Sequence, residues 1–168
     1  LQASIPAGLD FGLCPTNETM QYDFQVKNEG EVPCPFEFKC PLPFVLEPME
    51  GVVPVGEAVK ITASIFPTDA SVFVSLASCE VGRGVAATKP KPLLEMRLSA
   101  IGRYTYIVPS ENKLDFGTLL AGQTEDSVKE IMLRNQSTVP ATVLCTREEN
   151  DREPVFRVSP MEVVIPPQ

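Results

Sequence analysis

Cysteine has the widest chemical reach of the residue types present, and its five copies, Cys14, Cys34, Cys40, Cys79 and Cys145, form an odd set. No two make a C-x-x-C pair and the chain contains no histidine, so neither a disulfide scaffold nor a metal centre is expected. Four of the thiols fall in or beside apolar runs, where a free cysteine behaves as a small hydrophobe and implies a reducing compartment. Lacking histidine, the chain also lacks the usual general base and every histidine-containing triad. Glu148, Glu149, Asp151 and Glu153 alternate with Arg147 and Arg152, but mixed charge without glycine or regular oxygen spacing reads as a solvated loop. Gly82-Arg83-Gly84 lacks the strand-to-helix setting and the Lys-Ser/Thr ending of a phosphate loop. Lys89-Pro90-Lys91-Pro92 reads as a stiff, charge-protected connection. No catalytic, cofactor-binding or metal-binding residue is expected, and Arg83, Lys91 and Glu149 mark loops expected to touch partners.

Two triplets, Asn17-Glu18-Thr19 and Asn135-Gln136-Ser137, fit the N-glycosylation pattern and keep open a secreted alternative, an extracellular adhesion or chaperone-like sandwich. Against it stand the odd cysteines and the place of Asn135 at a strand end, where asparagine is favoured because its side chain caps a turn.

The elements that must position these residues follow from composition and pattern. A length of 168 residues allows one large domain or two small ones. Hydrophobic residues at 43% and charged residues at 21% predict a globular chain. Lys+Arg 14 against Asp+Glu 22 gives a net charge of −8, the wrong sign for tracking phosphates or anionic lipid, so neither nucleic acid nor membrane is an expected partner. No apolar run reaches the ~18 residues of a membrane span, and no basic segment precedes an apolar one at the N-terminus. The 17 prolines are dispersed between apolar runs, which suits strands with stiff connections.

An internal repeat organises the chain. Leu9-Asp10-Phe11-Gly12 returns as Leu114-Asp115-Phe116-Gly117, 105 residues on; Val26-Lys27-Asn28 and Val32-Pro33 return as Leu133-Arg134-Asn135 and Val139-Pro140, 107 on. Phe44 through Pro48-Met49-Glu50 returns as Phe156 through Pro160-Met161-Glu162, 112 on. The order is kept and the offset grows only across expected loops, as duplicated domains diverge. The first copy continues about fifty residues beyond its Pro48 match, whereas seven residues beyond Met161 the sequence stops. We therefore expect two domains, residues 1–102 and 103–168. The second is expected to lack its C-terminal strands and to lean on another chain or on further repeats.

Period two dominates both copies. Met20, Tyr22, Phe24 and Val26 alternate with polar residues, as do Phe36 and Phe38, Val59 to Ile65, and Leu94 to Ala100, while Val72, Val74 and Leu76 continue from Ala70. No window carries a capped 3.6-residue stripe. Seven or more short, mostly antiparallel strands in about 100 residues predict an all-β chain of immunoglobulin-like sandwiches. In Leu-Asp-Phe-Gly both apolar residues should point inward from an edge strand, with glycine permitting a turn.

Taken in order, Leu9-Asp10-Phe11-Gly12, Asn28-Glu29-Gly30, Phe44-x-Leu46-x-Pro48-x-x-Gly51, Pro54-x-Gly56 and Ile65-Phe66-Pro67 resemble the ASH domain. That module, named for ASPM, SPD-2 and Hydin, is a relative of the major sperm protein (MSP) and PapD-like sandwiches. The resemblance covers Leu9 to about Gly102 fully and Leu114 onward in part, where Val163-Val164 replaces Gly51-Val52. It implies a structural component of cilia, flagella and their axonemal cytoskeleton, Hydin-like central-apparatus proteins being the multi-copy examples. It also implies protein partners and no turnover. A short connection around Gly102-Arg103-Tyr104 suggests a semi-rigid spacer. A basic face binding acidic peptides, as in another MSP branch, ranks lower for an acidic chain.

Overall fold

Alternating apolar residues become strands here because the pleat sends successive side chains to opposite faces, so each run buries one face and wets the other. A computed structural model of the chain describes residues 3–82, 93–119, 128–146 and 156–168. The chain divides into two compact units, Leu1–Tyr104 and Thr105–Gln168. No helix occurs among the described residues.

The first unit contains β1 (Ala3–Ser4), β2 (Gly8–Pro15), β3 (Met20–Asn28), β4 (Cys34–Lys39), β5 (Phe44–Glu47), β6 (Glu50–Val53), β7 (Ala58–Ile65), β8 (Val72–Val81) and β9 (Leu93–Arg103). One sheet runs β1-β3-β7-β5 and the other β2-β9-β8-β4-β6. All pairs are antiparallel except β2 with β9, where Leu9 faces Leu98 and Cys14 faces Gly102 in parallel. Ile5-Pro6-Ala7 separates β1 in one sheet from β2 in the other, and Pro48-Met49 does the same between β5 and β6. The core between the sheets holds Phe11, Phe24, Phe36, Phe38, Phe44, Leu46, Ile61, Met96 and Leu98, with Cys14, Cys34 and Cys79 among them. Each fully buried large side chain contributes about 1.5–3 kcal/mol of transfer free energy.

One expectation needs correction. Val72, Val74 and Leu76 lie on the solvent face of β8, and it is Phe73, Ala77, Cys79 and Val81 that turn inward. Both parities of that strand carry apolar residues, and pairing with β9 decides between them: Ala77 faces Met96, Cys79 faces Leu94, and all four point to the core. β9 runs through Arg103, and Gly102 lies so close to the Asp69 carbonyl that an added Cβ would overlap it.

The second unit contains β10 (Ile107–Pro109), β11 (Leu133–Asn135), β12 (Ala141–Leu144) and β13 (Glu162–Ile165). β10 pairs antiparallel with β11, Ile107 against Asn135 and Val108 against Arg134; in the first unit Ala3 faces Asn28 and Ser4 faces Lys27. β12 pairs with β13, Ala141 against Ile165 through Leu144 against Glu162, as Cys34 faces Val53 through Glu37 against Glu50. The next backbone bond matches too: Cys145 N–H donates to Met161 at 2.8 Å and Phe38 N–H to Met49 at 2.7 Å. Offsets of 107 and 112, read from sequence, are the offsets of strand pairing. Glu47-Pro48 and Ser159-Pro160 are both cis, as is Leu42-Pro43.

Candidate interaction surfaces

The Leu-Asp-Phe-Gly motif is a side-chain-capped bulge. On the edge strand β2, Leu9 packs against the core and Phe11 is buried in it, while Gly12 takes φ +66°, a left-handed conformation that favours glycine. The Asp10 carboxylate accepts from Gly12 N–H and from Ser99 Oγ–H, each at 3.0 Å, and the pairing register slips between Asp10 and Leu13. Those two donors, Gly12 first, hold the Asp10 carboxyl below the usual carboxylate range. In the second unit Asp115 accepts from Gly117 N–H at 2.8 Å, with Gly117 at φ +67°. Phe11 meets Phe44 at 5.6 Å between ring centroids, and Phe116 meets Phe156 at 5.3 Å. Where Tyr22 stands edge-on to Phe11, Lys129 places its ammonium 5.8 Å from the Phe116 ring centre. Leu114 is half-buried.

Asn28 and Asn135 are buried, at 2% and 1% exposure. Asn28 Nδ2 donates to the carbonyls of Val32 at 2.8 Å and Val53 at 3.0 Å, and its Oδ1 accepts from Gly30 N–H at 2.9 Å. Asn135 Nδ2 donates to Val139 at 2.8 Å and Ile165 at 2.9 Å, and its Oδ1 accepts from Ser137 N–H at 2.9 Å. Glycan transfer to Asn135 is incompatible with this geometry, whereas Asn17 is exposed, at φ 61°. Pro67 is buried and accepts from Asn17 N–H at 2.8 Å; Pro48 and Pro160 are exposed. These motif residues do not converge on a cleft. They secure strand ends and bulges. Arg83, Lys91 and Glu149 lie outside the described residues.

Chemically the described surface is quiet. No group of three His, Cys, Asp or Glu could hold a metal ion among the described residues. Burial pushes the Cys79 thiol up to about 12, with Cys34 adding to the rise, and burial raises Cys14, Cys34 and Cys40 as well. Such thiols stay protonated at neutral pH and are poor nucleophiles. Asp69 accepts from the Tyr104 hydroxyl, which lowers the Asp69 carboxyl and raises the Tyr104 phenol. No described helix is long and apolar enough to cross a membrane.

What inspection of the sequence missed is an apolar strip on the outer face of the five-stranded sheet. Val72 faces Ile101 on β9, and Ile101 faces Leu13 on β2, so three strands contribute side by side; Val74 and Leu76 extend the strip along β8. Val72 is 69% exposed and Leu13 44%. The signal was present in the double parity of β8.

Two antiparallel-dominated sheets joined by strands that switch layers define an immunoglobulin-type sandwich. Residues 4–81 match the family model described as HYDIN/CFA65/VesB-like, Ig-like domain. The chain is 31% identical over 165 residues to cilia- and flagella-associated protein 65 of Chlamydomonas reinhardtii, covering 98% of this chain and 7% of that one. It is 24% identical over 176 residues to the Mus musculus protein of the same name, covering 96% and 9%. The chain thus spans less than a tenth of the length of these relatives. Among solved structures it is similar to an ASH / PapD-like domain of human CEP192, with TM-score 0.55 and 14% identity over 61% of this chain and 85% of that one, a likeness of fold. The first unit is thus similar to ASH- and HYDIN/CFA65-like immunoglobulin-type domains, and the chain as a whole to part of cilia- and flagella-associated proteins.

Proposed function

We propose that the chain is a non-catalytic architectural module, a spacer and docking surface within a ciliary or flagellar axonemal assembly of the central-apparatus kind. It comprises two tandem ASH-type sandwiches, the second represented by part of its strands. Its partners are other proteins of that cytoskeletal assembly. The carrying observation is the outer strip of Leu13, Val72, Val74, Leu76 and Ile101, because monomeric domains rarely leave a contiguous apolar patch spanning several strands unless something covers it. Three residues separate β9 from β10, which supports the spacer role. The buried Asn135 and the unpaired cysteines disfavour the secreted, adhesion-like alternative.

The test is a V72T/V74T/L76T triple variant of the full-length protein expressed in ciliated cells. Being on the solvent face, the substitutions should leave folding intact by circular dichroism, and incorporation into the axoneme, read by fluorescence or immunogold, should fall severalfold. Normal incorporation of a folded variant would remove the strip from the docking role.

A further inference from the structure

The two copies repeat an exposed feature as well as buried ones. β6 opens with Glu50-Gly51-Val52 and β13 with Glu162-Val163-Val164, 112 residues on. Val52 is 54% exposed and Val164 59%, and both glutamates are exposed. Their neighbours across the ladder differ: Glu50 faces Glu37 and Val52 faces Pro35, whereas Glu162 faces Leu144 and Val164 faces Thr142. Packing against the adjacent strand therefore does not account for the repeated Glu-x-Val. Each strand ends its sheet, β6 beyond β4 and β13 beyond β12. The Met49 and Met161 carbonyls point back into the ladder, accepting from Phe38 N–H at 2.7 Å and Cys145 N–H at 2.8 Å. Alternation then turns the N–H and C=O groups of Glu50, Val52, Glu162 and Val164 to the far edge, where among the described residues no strand pairs with them. Neither Glu50 nor Glu162 forms an ion pair among the described residues.

Resting on the docking-module reading above, we propose that the free edges of β6 and β13 are two equivalent strand-addition sites. Each takes an extended segment of a partner protein that carries a β-branched residue and, two positions on, a lysine or arginine. A row of outward N–H and C=O groups is satisfied by another backbone, and alternate side chains then set which segment fits. In antiparallel pairing, the mode β6 already uses with β4, the β-branched residue lies opposite Val52 or Val164 and the cation opposite Glu50 or Glu162. The net charge of −8 favours approach of a basic segment. A second copy of this chain is the poorer occupant: in-register self-pairing of the edge sets Glu50 against Val52 when antiparallel and Glu50 against Glu50 when parallel, and neither supplies a cation.

Titration of the 168-residue chain with the peptide TTVTKTT, followed by amide nuclear magnetic resonance, tests the proposal. Signals of residues 50–52 and 162–164 should shift, and TTVTETT should bind both segments about fivefold more weakly. N-methylation of the peptide's valine and lysine nitrogens, which face the chain, should abolish binding, whereas N-methylation of the threonine between them should not. Glu50→Lys, an exposed change on an edge strand, should make residues 50–52 prefer TTVTETT while residues 162–164 keep their preference for TTVTKTT. No shift at either segment at millimolar peptide, equal binding of the two peptides, or undiminished binding after N-methylation at valine and lysine would each overturn the proposal. The outer strip separates this from the docking reading itself. If residues 50–52 and 162–164 do not respond while V72T/V74T/L76T blocks axonemal incorporation, the edge sites fail and the docking module stands. If they respond as expected and the triple variant incorporates normally, the edge sites stand and the strip loses its role.

Discussion

Asn28 joins the two sheets of the first unit through Val53: the amide at the end of β3 donates to the carbonyl at the end of β6, in the opposite sheet, at 3.0 Å. Asn135 ties β11 to β13 through Ile165 in the same way. An amide side chain suits the place because it offers two donors to two carbonyls and an acceptor to the turn N–H, and neither sheet ladder supplies these.

Asn28→Ala should therefore destabilise the first unit by about 2–3 kcal/mol, since it leaves buried carbonyls unpaired as well as deleting bonds. Asn28→Asp should be worse than alanine at neutral pH, because a carboxylate oxygen would face the Val32 and Val53 carbonyls. Urea denaturation of both variants checks this. A cost under about 0.5 kcal/mol for alanine would show that the bond does not hold the sheets.

The glycines differ in kind, and substitution should separate them. A Cβ at Gly12 meets nothing within 4 Å, so Gly12→Ala suffers only the left-handed φ, about 1 kcal/mol, and Gly12→Asn should suffer less. At Gly102 a Cβ collides with the Asp69 carbonyl and meets the Phe73 ring at 3.3 Å, so β9 must shift. Gly102→Ala should cost at least twice as much as Gly12→Ala. Equal midpoints in thermal unfolding would contradict the close approach.

Much of the first unit was legible in the sequence because alternation marks its core. Ile61, Ala63 and Ile65 bury the parity that alternation predicts, and Asp10 and Asp115 each accept from the glycine N–H two residues on. The parallel placement of β2 on β9 was not legible, since period two carries no strand direction. The orientation of β8 was hidden by apolar residues on both faces: only the ladder to β9 shows that Ala77 and Cys79, not Val74 and Leu76, reach the core. The outer apolar strip was missed for that reason, since Val72, Val74 and Leu76 read as one more alternating strand.

Acid should weaken the first unit through Asp10, Asp23 and Asp69, each held below the usual carboxylate range, by Gly12 N–H, Lys60 and the Tyr104 hydroxyl respectively in first place. A carboxyl with a lowered folded value contributes stability that is present above its unfolded value of about 3.9 and is lost as pH falls toward the folded one. Denaturant midpoints should be flat near neutrality and drop below about pH 4. Asp10→Asn keeps an oxygen for Gly12 N–H and removes the titration, so its midpoint should depend less steeply on pH in that window. An unchanged slope would mean that the Gly12 and Ser99 bonds do not favour the charged form.

Thiol labelling tests the interior directly. Cys14, Cys34 and Cys79 are buried, and the Cys79 thiol, pushed up to about 12, has almost no thiolate at pH 8. Cys40 and Cys145 are partly exposed, and burial slows Cys40 by raising its thiol. With a maleimide at pH 8 the native chain should therefore label at no more than these two positions, Cys145 ahead of Cys40, and at all five once unfolded. Because thiolate supply and access both fail at Cys79, its labelling rate should follow global unfolding and fall when the fold is stabilised. Labelling of Cys79 as fast as Cys145 in the native chain would mean that β4 and β8 part locally, and that the ladder placing Phe38 against Cys79 is not a fixed part of the core.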